Sequence, residues 1–170
     1  MSTIVLVGVP GAGKTTVGKL LANEMSLDFF DSDQVIEARL GKSVSDIFTQ
    51  DGEPVFRQIE HDVVVDLLGS SNAVIALGGG ALGNDDTRAK VTGATAVWLV
   101  AGLAQAVDRV GMNRNRPLLL GNVRGQLADL MAAREPLYKE VATIAVDTSK
   151  LKPSEVVAQI VSDLKKSESA

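Results

Sequence analysis

Short apolar runs rich in β-branched residues alternate along this chain with stretches whose apolar positions recur every three or four residues. The first run, Thr3-Ile-Val-Leu-Val7, is apolar almost throughout and reads as a strand buried on both faces. The segment after it, from Val17 to Met25, carries its apolar residues at helical spacing. Continued along the chain, the pattern predicts strands at 3–7, 28–31, 73–77, 94–100 and 141–146. It predicts helices at 14–25, 33–40, 58–69, 84–92, 102–110, 123–140 and 153–166, with short helical pieces between 43 and 57. Residues 111–122 form a polar stretch. Strands separated by helices imply a three-layer α/β/α fold around a five-stranded parallel sheet. Such a sheet binds ligands beyond the carboxyl ends of its strands, so chemistry is to be sought there.

Composition narrows the picture. The 170 residues are 45% hydrophobic, show no internal repeat or linker, and suit a single domain, expected to span 1–170. No apolar stretch is long enough for a bilayer, and Met-Ser-Thr-Ile-Val lacks the charged start of a signal peptide. A cytoplasmic protein with no membrane partner is expected. The absence of cysteine removes thiol catalysis, zinc-thiolate sites and disulfides. A net charge of −4 provides no global field for nucleic acid, so any anion site must be local.

One such site lies between the first strand and the first helix. Gly8-Val-Pro-Gly-Ala-Gly-Lys-Thr-Thr16 fits G-x-x-x-x-G-K-[ST], the loop that cradles nucleotide phosphates with backbone N–H groups. Gly11, Ala12, Gly13 and Thr16 supply the cradle, Lys14 reaches the outer phosphates, and Thr15 offers a hydroxyl to Mg²⁺.

The other strand ends are also suggestive. Strand two runs into Asp31-Ser32-Asp33. In an extended chain these carboxylates share a side about 6–7 Å apart, suited to separate tasks at a metal and at a substrate hydroxyl. The same residue types also make good helix N-caps, and both readings stand. Strand three ends in Gly78-Gly79-Gly80, which lets backbone N–H groups approach a ligand with no Cβ in the way. The run to Gly83 also fits G-x-G-x-x-G, but no acidic residue ends the next strand, so dinucleotide binding is excluded. Arg57, Arg116 and Arg134 are candidate anion ligands, with Arg116 in the polar 111–122 stretch that suits a lid. His61 reads as a solvated helical residue and Trp98 as core.

Taken in order, the motifs resemble the shikimate kinase family. These are the 8–16 loop, Asp31-x-Asp33, the segment from Asp46 through Gly52-Glu53, Phe56-Arg57 and Glu60, then Gly78-Gly-Gly80, Arg116-Pro-Leu-Leu119, Arg134-x-Pro-Leu-Tyr138 and Val146-Asp-Thr148. The resemblance implies a P-loop fold of the nucleoside-monophosphate-kinase type, with a substrate-binding insertion at about 32–60 and a lid at about 111–122. It implies transfer of the ATP γ-phosphoryl group to the 3-hydroxyl of shikimate, with Mg²⁺, by an enzyme commonly monomeric. By the same resemblance Asp33 meets the substrate hydroxyls and serves as base or orienter, while Arg57 and Arg134 hold the carboxylate. Gly79 and Gly80 meet the ring, and Arg116 bridges phosphates and substrate. Thr15 and Asp31 serve the metal, and Arg109 and Pro153 flank adenine; Arg114 receives no role. The alternatives are a kinase of the same group acting on gluconate or a nucleoside monophosphate, and a non-catalytic ATP-binding switch.

Overall fold

The computed structural model of the protein describes residues 3–111 and 123–169. Its centre is a parallel sheet of β1 (Ile4–Val7), β2 (Asp28–Asp31), β3 (Ala73–Ala76), β4 (Thr95–Val100) and β5 (Ile144–Asp147), in the order β2-β3-β1-β4-β5. Val5 lies opposite Ile75 on one side and Ala96 on the other. Every residue of β1 and β3 is buried, whereas the edge strands β2 and β5 are partly exposed. The unbroken apolar runs are thus the central strands, as burial on both faces requires.

The helices are α1 (Lys14–Met25), α2 (Ser32–Leu40), α3 (Val44–Asp51), α4 (Glu53–Leu68), α5 (Asp85–Thr92), α6 (Leu103–Gly111), α7 (Val123–Val141) and α8 (Pro153–Ser169). With right-handed crossovers, α1 and α8 pack together on one face of the sheet while α4, α5 and α7 pack in sequence on the other. The core between the layers includes Leu6, Leu21, Ile75, Leu99, Leu127 and Ile160, each essentially inaccessible. The chain leaves β1 in one direction and enters β4 in the other, so the carboxyl end of β1 is a topological switch point, the place where open α/β sheets bind ligands.

Two boundaries differ from expectation. Residues 53–68 are one continuous helix opened by Pro54, not a series of short pieces followed by a helix at 58. The last strand starts at Ile144, not 141, because Val141 is buried as the final residue of α7. The β-branched run Val141, Thr143, Ile144 and Val146 looks like a strand in sequence, and tertiary packing divides it.

Candidate active site

The 8–16 loop folds as the motif demands. Gly11 and Gly13 have φ of 84° and 92°, the left-handed region in which a side chain is strained. Gly13 is the N-cap of α1 and brings no side chain to its N–H groups, which favours an anion there. The Lys14 ammonium donates to the carbonyls of Gly8 and Val9 at 2.6 and 3.1 Å, so it lies along the loop. Ala12 is buried, Thr15 is partly buried and Thr16 is exposed.

The acidic pair after β2 is not extended. Asp31 ends the strand and α2 begins at Ser32, which places Asp33 in the first helical turn. The capping reading of Asp31 holds, and it engages one carboxylate oxygen while the other faces Thr15. Oδ1 caps α2, accepting from the N–H groups of Asp33 and Gln34 at 3.0 and 3.2 Å. Oδ2 accepts the Thr15 hydroxyl at 2.7 Å. A hydroxyl and a carboxylate therefore meet at the N-terminus of the P-loop helix, a hard oxygen pair suited to a cation shared with phosphate oxygens and water. Among the described residues no group of three or more His, Cys, Asp or Glu side chains converges, so no all-protein metal cage is present there.

The glycine turn also makes room for side chains of the protein itself. A Cβ on Gly78 would lie 2.9 Å from both Asp33 Oδ1 and Glu60 Oε2. On Gly79 it would lie 3.0 Å from Arg134 Nη1 and from Pro10, and on Gly80 2.6 Å from Arg57 Nη2. Each glycine thus leaves room for a charged side chain of this protein, which fills the space. Two hydroxyls tie the turn down. The buried Ser32 accepts the Gly78 N–H at 2.9 Å, and Tyr138 donates to the Gly79 carbonyl at 2.8 Å.

Arg57 is held by neighbours from α3 and α4. Its guanidinium carbon lies 5.8 Å from the Phe48 ring centre and 5.3 Å from that of Phe56. Those two rings pack at 4.7 Å, and Glu60, one turn along α4, accepts from Arg57 at 2.8 Å. Glu60 is 3% exposed. Burial pushes its carboxyl up to about 7, with Arg57 pulling it down less strongly and Asp33 adding to the rise. Arg134 projects from α7, and burial draws its guanidinium below the ordinary value, opposed by Tyr138. The site is therefore a compact set of two arginines and two carboxylates around one turn.

Glu60 and the two hydroxyl anchors were not singled out as functional by sequence reasoning. The available signal for Glu60 was its place on the apolar stripe of α4, with Phe56, Val63, Val64 and Leu67. A carboxylate inside such a stripe needs a partner. Arg109 lies on α6, and Pro153 starts α8. Elsewhere on α6 the Gln105 amide donates to the Thr148 carbonyl, just after β5, at 3.3 Å. Arg116, Arg114 and the expected lid over 111–122 lie outside the described residues, apart from Gly111 at the end of α6. His61 is not freely solvated: it bridges Asp86 at 2.7 Å and Asp62 at 3.2 Å. Trp98 is only partly buried, its ring centre 6.0 Å from that of Tyr138.

A family model described as shikimate kinase matches residues 10–165. The chain belongs to the shikimate kinase family. A shikimate kinase of Thermobifida fusca is 49% identical over 160 residues, covering 94% of this chain and 93% of the relative. One from Mycobacterium tuberculosis is 47% identical over 161 residues, covering 94% and 92%. Among solved structures, a shikimate kinase from Acinetobacter baumannii in complex with shikimate superposes with a TM-score of 0.96 at 34% identity, covering 98% of this chain and 94% of that one. A gluconokinase from Sinorhizobium meliloti superposes at 0.60 with 20% identity, a likeness of fold alone. The expected ATP-dependent kinase of the shikimate kinase family is what these relationships support, and gluconate as acceptor gains nothing from them.

Proposed function

We propose that this chain transfers the γ-phosphoryl group of ATP to the 3-hydroxyl of shikimate, giving shikimate 3-phosphate and ADP. The observation that carries the reading is the glycine turn, which packs against Arg57, Arg134 and Asp33 together, next to the P-loop. An acceptor with one carboxylate and several hydroxyls calls for that set. Arg57 and Arg134 bind the carboxylate through their forked donors. Gly79 and Gly80 offer backbone donors to the ring hydroxyls. Asp33 orients the reacting hydroxyl and takes its proton.

On the ATP side, Gly11, Ala12, Gly13, Thr15 and Thr16 cradle the phosphates. Lys14 leaves its loop carbonyls to neutralise charge at the transferred group. Thr15 and Asp31 fit Mg²⁺, with Thr15 as direct ligand and Asp31 acting through water. When bound there, the ion supplies charge neutralisation to the phosphates. By the sequence motif it stands in, Arg116 serves phosphates and substrate, and Arg109 and Pro153 flank the adenine. Because phosphoryl transfer asks little covalent work of a protein, positioning and electrostatics account for the catalysis. The enzyme acts as a cytoplasmic monomer without a nucleic-acid partner.

A coupled ADP-release assay over shikimate, gluconate, AMP and CMP tests the reading. Turnover is expected with shikimate and near background with the others. A preference for gluconate or a nucleotide refutes it, and tight ATP binding without any acceptor turnover points to a non-catalytic switch. Light scattering of the eluted protein checks the monomer.

A further inference from the structure

The hydrogen bonds of the glycine turn can be followed atom by atom. The Gly78 N–H goes to Ser32, and the Gly78 carbonyl accepts from the Ala81 N–H at 3.1 Å. The Gly79 carbonyl accepts from the Tyr138 hydroxyl at 2.8 Å, and the Gly80 carbonyl accepts from the Gly83 N–H at 3.1 Å. Within the described residues the N–H groups of Gly79 and Gly80 remain as the turn's donors. No peptide bond of the described chain is cis. In a trans peptide the carbonyl and the following N–H point in opposite directions. Fixing the Gly79 carbonyl on Tyr138 therefore aims the Gly80 N–H away from α7.

The direction of the Tyr138 hydrogen is also determined. Its hydroxyl hydrogen-bonds Gly79, and the Arg134 guanidinium packs against the same residue, 3.0 Å from where a Gly79 Cβ would lie. A carbonyl oxygen can only accept, so the single hydroxyl hydrogen goes to the Gly79 oxygen. Tyr138 is 2% exposed, and its ring packs near Trp98 on β4, which holds the hydroxyl in place. Arg134 and Tyr138 stand four residues apart on one face of α7. Both side chains therefore bear on Gly79, Tyr138 by a hydrogen bond to its carbonyl and Arg134 by packing.

We propose that Tyr138 is a positioning residue that aims the Gly80 N–H at a hydroxyl of the acceptor substrate, from the same turn against which the carboxylate-binding Arg134 packs. The proposal rests on the shikimate reading given above. It deepens that reading by placing recognition of the carboxylate and recognition of a ring hydroxyl at one turn. The Tyr138 donor stays protonated at working pH, since burial holds its hydroxyl up at about 12.

Tyr138→Phe removes only the hydroxyl and keeps the ring. Loss of an aligned neutral donor is expected to raise KM for shikimate about three- to tenfold, with KM for ATP unchanged. The decisive comparison uses shikimate analogues lacking the 4- or the 5-hydroxyl. With the analogue that lacks the hydroxyl met by Gly80, wild-type and variant should converge in kcat/KM, as a coupled pair requires. An equal penalty on all three substrates, or no penalty, overturns the proposal. The Gly80 amide resonance of the ¹⁵N-labelled enzyme provides a readout independent of acceptor identity. It should shift in Tyr138→Phe with no substrate present, and an unmoved resonance also overturns the coupling. If wild-type does not phosphorylate shikimate, the shikimate reading fails while the amide measurement still decides whether Tyr138 directs this peptide.

Discussion

The Thr15 hydroxyl donates to Asp31 Oδ2 at 2.7 Å, so the first turn of the P-loop helix and the end of the neighbouring edge strand are joined by the pair assigned to the cation. Because the other Asp31 oxygen caps α2, substitutions can separate this structural duty from the proposed one at the cation. Asn caps a helix about as well as Asp, so Asp31→Asn should leave the melting temperature nearly unchanged. Its activity should fall about 10–100-fold, with a higher Mg²⁺ requirement. Asp31→Ala should lose both, with about 1 kcal/mol of stability going with the cap. Calorimetry and a Mg²⁺ titration of turnover check the separation.

Gly80→Ala should leave the fold intact and damage acceptor binding. Its Cβ would sit 2.6 Å from Arg57 Nη2, the far end of a side chain that can swing aside. A displaced charged hydrogen bond is worth about 1.5–3 kcal/mol, so KM for shikimate should rise roughly 10–100-fold. Thermal stability and ATP affinity should change little. An unaltered KM would show that Arg57 does not hold the carboxylate from this position.

Glu60 should make acceptor binding depend on pH near neutrality. Its carboxyl is neutral below about 7 and ionised above, where it competes with the substrate carboxylate for Arg57 and repels it. KM for shikimate should therefore rise as pH increases through about 7, and Glu60→Gln should flatten that rise. Stability follows the same sign. A folded value raised above the ordinary carboxyl value of 4.5 favours the neutral form, so its contribution is complete below that value and lost as pH rises through about 7. Glu60→Gln should accordingly compare better with wild-type at about pH 8 than at about pH 5. Denaturant melts at the two pH values are the check.

His61 should stabilise the contact between α4 and α5 only in acid. Hydrogen bonds to Asp86 and then Asp62 raise its value above the ordinary 6.5. That contribution is complete below 6.5 and disappears as pH rises through the raised value. His61→Gln should lower the melting temperature more at about pH 5.5 than at pH 8, with turnover at pH 8 unaffected. Equal losses at both values would assign the effect to packing instead.

Lys14→Met and Arg116→Ala should each reduce kcat by orders of magnitude, the scale on which cationic groups contribute to phosphoryl transfer. Near-normal turnover in either removes the role assigned to it. Asp33→Asn distinguishes two actions: a modest loss fits orientation of the hydroxyl, and a loss of about 10²-fold or more fits general-base catalysis.

How much of this was readable in sequence follows from the range of the interactions. The strand–loop–helix unit at residues 4–25 was legible because its signals are local: an apolar run, left-handed glycines and a lysine at fixed spacing. Arg57 and Arg134 stood out as candidate anion ligands by residue type and surrounding motif, and the fold brings both to the glycine turn. The use of the three glycines was not legible, because Arg57, Arg134, Glu60 and Asp33 reach them from α2, α4 and α7. Ser32 binds Gly78 across 46 residues and Tyr138 binds Gly79 across 59, and periodicity carries no information over such distances. The capping of α2 by Asp31 was legible, but its simultaneous bond to Thr15 depends on the position of β2 at the sheet edge.

The crowding around residues 78–80 also constrains how this enzyme can be altered. Any side chain added there displaces a charge from the site before it meets a substrate, so the turn offers no route to gradual change of acceptor. Redesign for an uncharged or larger alcohol has to begin on the helices, at Arg57 or Arg134, where substitution makes space. Sequence libraries for new acceptors should therefore hold the glycines fixed and vary α4 and α7.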